Sequence, residues 1–255
     1  MLYKRILSAI ILAPISILAV WIGSWVFVIF IGLIGSLLSW EWTKICRGYF
    51  GISGALISFM TILISILGYK DPVSTAIVIT ITMLIIPIVD RKKVLWMIFG
   101  VLYIGLPCWS LVWLRGHECN TFFLLMFLVW ATDIGAYIVG SLTGGPKLLF
   151  IISPKKTWAG LFGGLLSASI VGVLMGLEAG GSLFTLAVLS SCLAIVAQIG
   201  DLSESCIKRH FGVKDSSNII PGHGGAFDRL DGLLATAPVM VLLCLMIGDG
   251  FPFYE

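Results

Sequence analysis

Apolar residues fill long stretches of this chain, over residues 6–23, 25–40, 52–68, 73–89, 94–114, 121–140, 158–177, 182–199 and 230–248. Most approach the ~20 residues that carry a helix across a bilayer. None alternates polar with apolar positions, so barrel strands are excluded and helices remain as the spanning structure. The pattern predicts an all-α, polytopic integral membrane protein of about nine transmembrane helices. The N-terminus opens as a signal sequence does, with Lys4 and Arg5 ahead of an apolar run from Ile6. A second run follows at once with no convincing cleavage site between them, so the segment reads as a retained first span.

Charge placement orients the chain. With the N-terminus in the cytoplasm, the cytoplasmic segments hold Lys4, Arg5, Lys44, Arg47, Arg91, Lys92, Lys93, Lys147, Lys155, Lys156, Lys208, Arg209, Lys214 and Arg229. The opposite side holds only Lys70 and Arg115. That is the positive-inside bias, and one span more or fewer would destroy it. Two cytoplasmic connections, 141–157 and 200–229, are longer than turns and contain most of the clustered polar residues. The chain reads as a single transmembrane domain over 1–255, in which 1–120 is an N-terminal helical scaffold and 121–255 carries the helices and loops where chemistry sits.

Composition narrows the function classes. Of 255 residues, 59% are hydrophobic and 11% charged, with a mean hydropathy of +1.08; soluble domains run near 45–50% apolar and about 25% charged. A soluble enzyme, a nucleic-acid-binding module and a disordered chain are all excluded. The 29 Gly and 9 Pro fit close helix packing in a bilayer. The six cysteines form no CxxC pair and read as small, reduced core residues. Short spans and the lack of a targeting extension favour a bacterial inner membrane.

Candidate chemistry gathers in the connection after the eighth span. It runs from Gln198 through Asp201, Glu204, Ser205, Lys208 and Arg209 to Lys214 and Asp215. It continues through Gly222, His223, Gly224 and Gly225 to Asp228, Arg229 and Asp231. Asp228 and Asp231, three apart, face one side of a helix if they start one. Such a pair suits a hard divalent cation such as magnesium, and Asp201 can add a third carboxylate. Read alone, the pair is also a charged helix start beside a membrane. The glycine-rich stretch can present N–H groups to a phosphate or simply turn the chain. Lys208 and Arg209 can meet phosphate oxygens, or mark the cytoplasmic side. Leu202, Cys206 and Phe211 form a loose apolar face, which suggests a short interfacial helix over 201–211, stopped by Gly212.

The earlier connection holds Ser153, Lys155, Lys156 and Thr157 ahead of the seventh span. Thr157 is a plausible cap, and lysines beside a helix N-terminus make an anion site in principle. Positive-inside labelling is the other reading. Gly160, Gly164, Gly172 and Gly176 recur at four-residue spacings, as close helix packing requires. Asp133, with Tyr137 one turn on, lies inside the sixth span. An intramembrane acid is costly and points to function by default, though an interhelical hydrogen bond also accounts for it.

Together these residues resemble the phosphatidate cytidylyltransferase (CDP-diglyceride synthase) family. Its signature runs S-x-apolar-K-R, four residues, K-D, small and apolar residues, H-G-G, apolar, x, D-R, apolar, D. Here Ser205, Lys208, Arg209, Lys214, Asp215, His223, Gly224, Gly225, Asp228, Arg229 and Asp231 stand at those spacings, with Ala226 where the family has a larger apolar residue. Residues 198–205, 132–137 and 153–160 also look like the family, so the resemblance covers 130–240. It implies transfer of CMP from CTP to phosphatidate, giving CDP-diacylglycerol and pyrophosphate, in a homodimer with its active site facing the cytoplasm. It implies magnesium on Asp201, Asp228 and Asp231, and leaves room for potassium beside it. Lys208 and Arg209 complete the catalytic set on that resemblance. Asp133, Ser153, Lys155, Lys156, Thr157, Ser205, Lys214, Asp215, His223, Gly224, Gly225 and Arg229 are then the substrate contacts, and no nucleic-acid partner is expected.

Two rivals remain on the residues alone. A polyprenyl-type transferase normally needs two aspartate-rich motifs, and this chain has one DxxD. A transporter coupled through Asp133 would need polar residues across the membrane, whereas these cluster on one face.

Overall fold

The structure, a computed structural model, describes residues 2–69, 71–117, 119–179, 181–220, 222 and 224–248, without the side chains of 2, 4–9 and 179. Among the described residues there are nine helices and one two-stranded sheet. In chain order they are α1 (Leu2–Ile22), α2 (Ser24–Arg47), α3 (Ile52–Gly68), α4 (Pro72–Val89), α5 (Val94–His117), α6 (Cys119–Thr143), β1 (Lys147–Leu149), β2 (Ser153–Thr157), α7 (Trp158–Ala179), α8 (Leu183–His210) and α9 (Phe227–Ile247). Each apolar run of the sequence is one helix. Seven, α2 and α4 to α9, have the length and hydropathy of a membrane span; Ile10–Ile22 and Ile52–Gly68 are shorter apolar helices.

Two local expectations change. The connection after α6 is not purely loop: β1 and β2 pair antiparallel, Lys147 opposite Thr157 and Leu149 opposite Ser153. Gly144 and Gly145, both with positive φ, end α6, and Trp158 N donates to Pro146 O at 3.1 Å to close the hairpin base. The second change concerns 201–210, which are not a separate interfacial helix but the last turns of α8. No proline interrupts 199–203, and Gly200 is where α9 comes close: a Cβ there would lie 2.7 Å from Asp231 O. Gly212, at φ +72°, ends the helix as expected, with Val213 N donating to Lys208 O at 2.9 Å.

The chain divides into two compact units, Met1–His117 with Lys208–Leu230, and Glu118–Ile207 with Asp231–Glu255. The first unit is built around Trp42 on α2, which is 1% exposed. Its Nε1 donates to Trp96 O at 3.0 Å. Its ring packs on Phe99, Tyr103 and Phe227 at centroid distances of 5.5–5.9 Å. Arg47, at the end of α2, pairs with Asp90 and donates to Ser53 Oγ at 2.7 Å.

In the second unit α6 and α7 meet backbone to backbone. A Cβ on Gly160 would lie 2.8 Å from Ala136 O, and one on Gly163 2.9 Å from Gly135 O. Further along α7, Gly172 faces Leu186 and Ser190 of α8, where Ser169 Oγ also meets Ser191 Oγ at 2.6 Å. The regular glycines of α7 thus serve two neighbours in turn. At its start, Thr157 Oγ1 accepts from Gly160 N at 3.1 Å, the cap the sequence predicted.

Candidate active site

The second unit places Asp201 and Glu204 one helical turn apart on α8 and brings them to Asp231 of α9. One carboxylate oxygen from each lies within 4.8 Å of the others. Glu204 and Asp231 are 3% and 8% exposed. Lys156, on β2, reaches in with Nζ 2.6 Å from Asp201 Oδ2. Asp231 Oδ1 accepts from Gly232 N at 2.8 Å. Asp133 lies close enough for its charge to act on Asp231, as do those of Asp201 and Lys156. Asp133 itself is on an exposed side of α6, where Tyr137 is 77% exposed. Ser205 Oγ stands 3.5 Å from Asp201 Oδ1. Ser153 is half-buried at the start of β2, and Lys155 is exposed.

Three carboxylates at this separation repel one another, and burial sharpens the repulsion. Lys156 pairs with one of the three, Asp201. Their donor atoms are all hard oxygens, the set that suits magnesium, which uses few protein carboxylates and keeps waters and phosphate oxygens. The residues therefore fit such an ion. Glu204 is a member that the sequence reading did not single out.

Asp228 makes its contacts within the first unit. It forms an ion pair with Lys208. Its Oδ2 accepts from Gly225 N at 2.8 Å and from Ser216 N and Oγ at 3.0 Å each. Lys208 is buried with it, so its ammonium stabilises Asp228. Arg209 donates to Val213 O at 3.1 Å from an exposed position. Lys214, Asp215 and Arg229 are exposed, and His223 lies outside the described residues. Gly224 adopts φ +89°. Gly225 is packed so tightly on Ser216 and Glu41 that no side chain fits. The Gly225 N–H, a candidate phosphate donor on the sequence, is taken by Asp228.

The second residue that sequence reasoning missed is Glu41 of α2, which is 0% exposed. Its Oε1 accepts from Ser217 Oγ at 2.5 Å and Ala226 N at 2.9 Å. Its Oε2 accepts from Phe227 N at 2.8 Å and Ser216 Oγ at 3.1 Å.

A buried, metal-competent acid group and a carboxylate-fastened polar loop, in a chain of membrane-length helices, narrow the comparison. The sequence profile of the Cytidylyltransferase family matches residues 3–247. The chain belongs to this family. A protein of Brucella suis biovar 1 (strain 1330) is 38% identical over 251 residues, spanning 94% of this chain and 92% of its own length. One of Pseudomonas aeruginosa is 36% identical over 273 aligned positions, spanning 99% and 100%. One of Staphylococcus saprophyticus is 39% identical over 152 residues, spanning 59% and 58%. Each is called phosphatidate cytidylyltransferase. The cytidylyltransferase match takes in both units, including the first half of the chain, where the sequence signature carried no polar motif.

Proposed function

We propose that this protein transfers CMP from CTP to phosphatidate, forming CDP-diacylglycerol and pyrophosphate in phospholipid synthesis. The observation that carries the reading is the nearly end-to-end match to proteins called phosphatidate cytidylyltransferase. Asp201, Glu204 and Asp231 are the residues that would hold magnesium. Magnesium supplies neutralisation of triphosphate charge and of the charge that spreads over the phosphoryl oxygens. Lys156 holds Asp201 in place and, with Lys155, offers cations to the triphosphate. A phosphate oxygen of phosphatidate attacks the α-phosphorus of CTP in line. The bond from that phosphorus to the bridging oxygen breaks, and pyrophosphate leaves with the electron pair. No covalent protein intermediate is needed, so positioning and charge stabilisation are the protein's tasks.

In this reading all nine helices cross a bacterial inner membrane, the N-terminus is cytoplasmic, and the site faces the cytoplasm, where CTP is. The functional form is a homodimer, and potassium accompanies magnesium. The test uses purified protein, α-labelled CTP and phosphatidate micelles. Label entering the lipid phase with magnesium, and not with excess chelator, is expected. No transfer by well-folded protein would end the reading. Replacing potassium with sodium in the same assay tests the second cation, and the mass in detergent tests the dimer.

A further inference from the structure

We propose that Glu41 is a positioning residue for nucleotide binding, which fixes 216–220 and 224–227 of the polar connection by holding the start of the first stretch and the end of the second. The inference rests on the cytidylyltransferase reading for its substrate and on the geometry of the first unit for everything else.

A carboxylate in an apolar segment is costly to bury without compensation. Glu41 sits between Trp40 and Trp42 near the end of α2, yet none of it is exposed. Among the described residues, its compensation comes from groups far along the chain. The hydroxyls of Ser216 and Ser217 reach it from the start of the loop. The N–H groups of Ala226 and Phe227 reach it from the end. Phe227 opens α9, so Glu41 supplies from another helix the anion that a local capping side chain would normally provide. Neither Gly225 nor Ala226 has a side chain able to cap.

Asp228 repeats the grip. Ser216 Oγ lies 3.1 Å from Glu41 Oε2 and 3.0 Å from Asp228 Oδ2, so its single proton is shared between the two acids. Gly225 N completes the ring on Asp228. Within this closed loop, Ile220 N donates to Gly224 O at 2.9 Å. Exposed Lys214 and Arg229 flank it. These are loop cations expected among the substrate contacts, and here they are taken to meet the phosphates of CTP.

The charge on Glu41 matters as much as its shape. All four partners are donors, and two are backbone N–H groups that cannot reverse. A glutamine offers one acceptor oxygen, and its NH2 would confront N–H or O–H donors on the other side. Glu41→Gln therefore loosens the loop although its volume is unchanged. Glu41→Asp keeps charge and acceptors and restores most of the grip.

Hydrogen exchange on the full-length protein in nanodiscs, paired with steady-state kinetics, tests this. In Glu41→Gln, amides of 216–220 and 224–227 should exchange about 10- to 100-fold faster, the range expected for losing hydrogen bonds to a charged group. Amides of α3, α5 and α7 should not change. KM for CTP should rise about tenfold, with kcat and KM for phosphatidate within about twofold, and Glu41→Asp should recover most of the loss. Ser217→Ala, which removes one donor and keeps the charge, should show a smaller change in the same direction. Unchanged exchange at 216–220 and 224–227 would overturn the proposal. So would faster exchange throughout α2, α3 and α5, which would make Glu41 a general support of the unit, or a fall in kcat with KM for CTP constant. Exchange does not depend on turnover. Loosening of the loop in a protein that never labels lipid from CTP would sink the substrate assignment and leave the grip standing.

Discussion

The two units handle buried acid in opposite ways. In the first, Glu41 and Asp228 are surrounded by donors: hydroxyls, backbone N–H groups and the ammonium of Lys208. In the second, carboxylate oxygens of Asp201, Glu204 and Asp231 converge to within 4.8 Å, with Lys156 on Asp201. A carboxylate saturated with donors holds polypeptide in place. Carboxylates crowded on carboxylates hold a place for a cation. The residue types are alike in both, and the neighbours differ; Asp201, with about a third of its side chain exposed, is the most open of the five.

The comparison breaks most sharply on Asp231. Asp231→Asn should lower magnesium-dependent CMP transfer by at least about 100-fold, in line with the several kcal/mol a catalytic metal supplies. It should not lower the unfolding midpoint, since it relieves repulsion. A large fall in stability would mean that the acid group is structural. Asp228→Asn should do the reverse at the level of folding, because it strips Lys208 of its buried partner. A loss of about 3 kcal/mol is expected in denaturant unfolding. Retained stability in that variant would place Asp228 with the metal-binding acids.

A smaller effect separates the units by ligand. Saturating magnesium should stabilise the wild-type protein by about 2.7 kcal/mol at a hundredfold excess over Kd. Chelator should reverse the gain, and Asp231→Asn should abolish it. Thermal unfolding of detergent-solubilised protein measures all three. Gly225→Ala comes next: its methyl group must displace Ser216 or Glu41, and overpacking of this kind costs about 1–3 kcal/mol. The smallest change is expected at exposed Lys214. Lys214→Ala should leave stability within about 0.5 kcal/mol, while KM for CTP rises and becomes less sensitive to salt.

The helices were legible because apolar runs must be as long as the membrane is thick. The predicted 52–68 and 73–89 became α3 and α4 nearly residue for residue. The hairpin was not, because its two strands, Lys147–Leu149 and Ser153–Thr157, are short and carry Lys147, Lys155 and Lys156, which read as a solvated loop. Glu204 was within reach of the sequence. It stands three residues after Asp201, the same spacing as Asp228 and Asp231, but a helix beginning at 201 separates it from the span that α8 continues. Asp228 and Asp231 do share a helix. Asp228, however, sits in its first turn, where a side chain turns back to N–H groups upstream, as in a capping box. Glu41 gave no local signal at all. Its partners are more than 170 residues away, and nothing in the stretch around Trp40 and Trp42 announces them.

That distance also sets a timetable. Glu41 leaves the ribosome 175 residues before Ser216, which at about 5–20 residues per second is an interval of roughly 10 to 35 s. Throughout it, α2 is already made while every group that will satisfy its acid is still untranslated. The carboxylate must stay in reach of water at the end of its helix until the last connection arrives. The connection that Glu41 fastens is thus among the last parts to be secured, and a chain cut short before residue 216 would carry the helices of its first half with an acid still waiting for its donors.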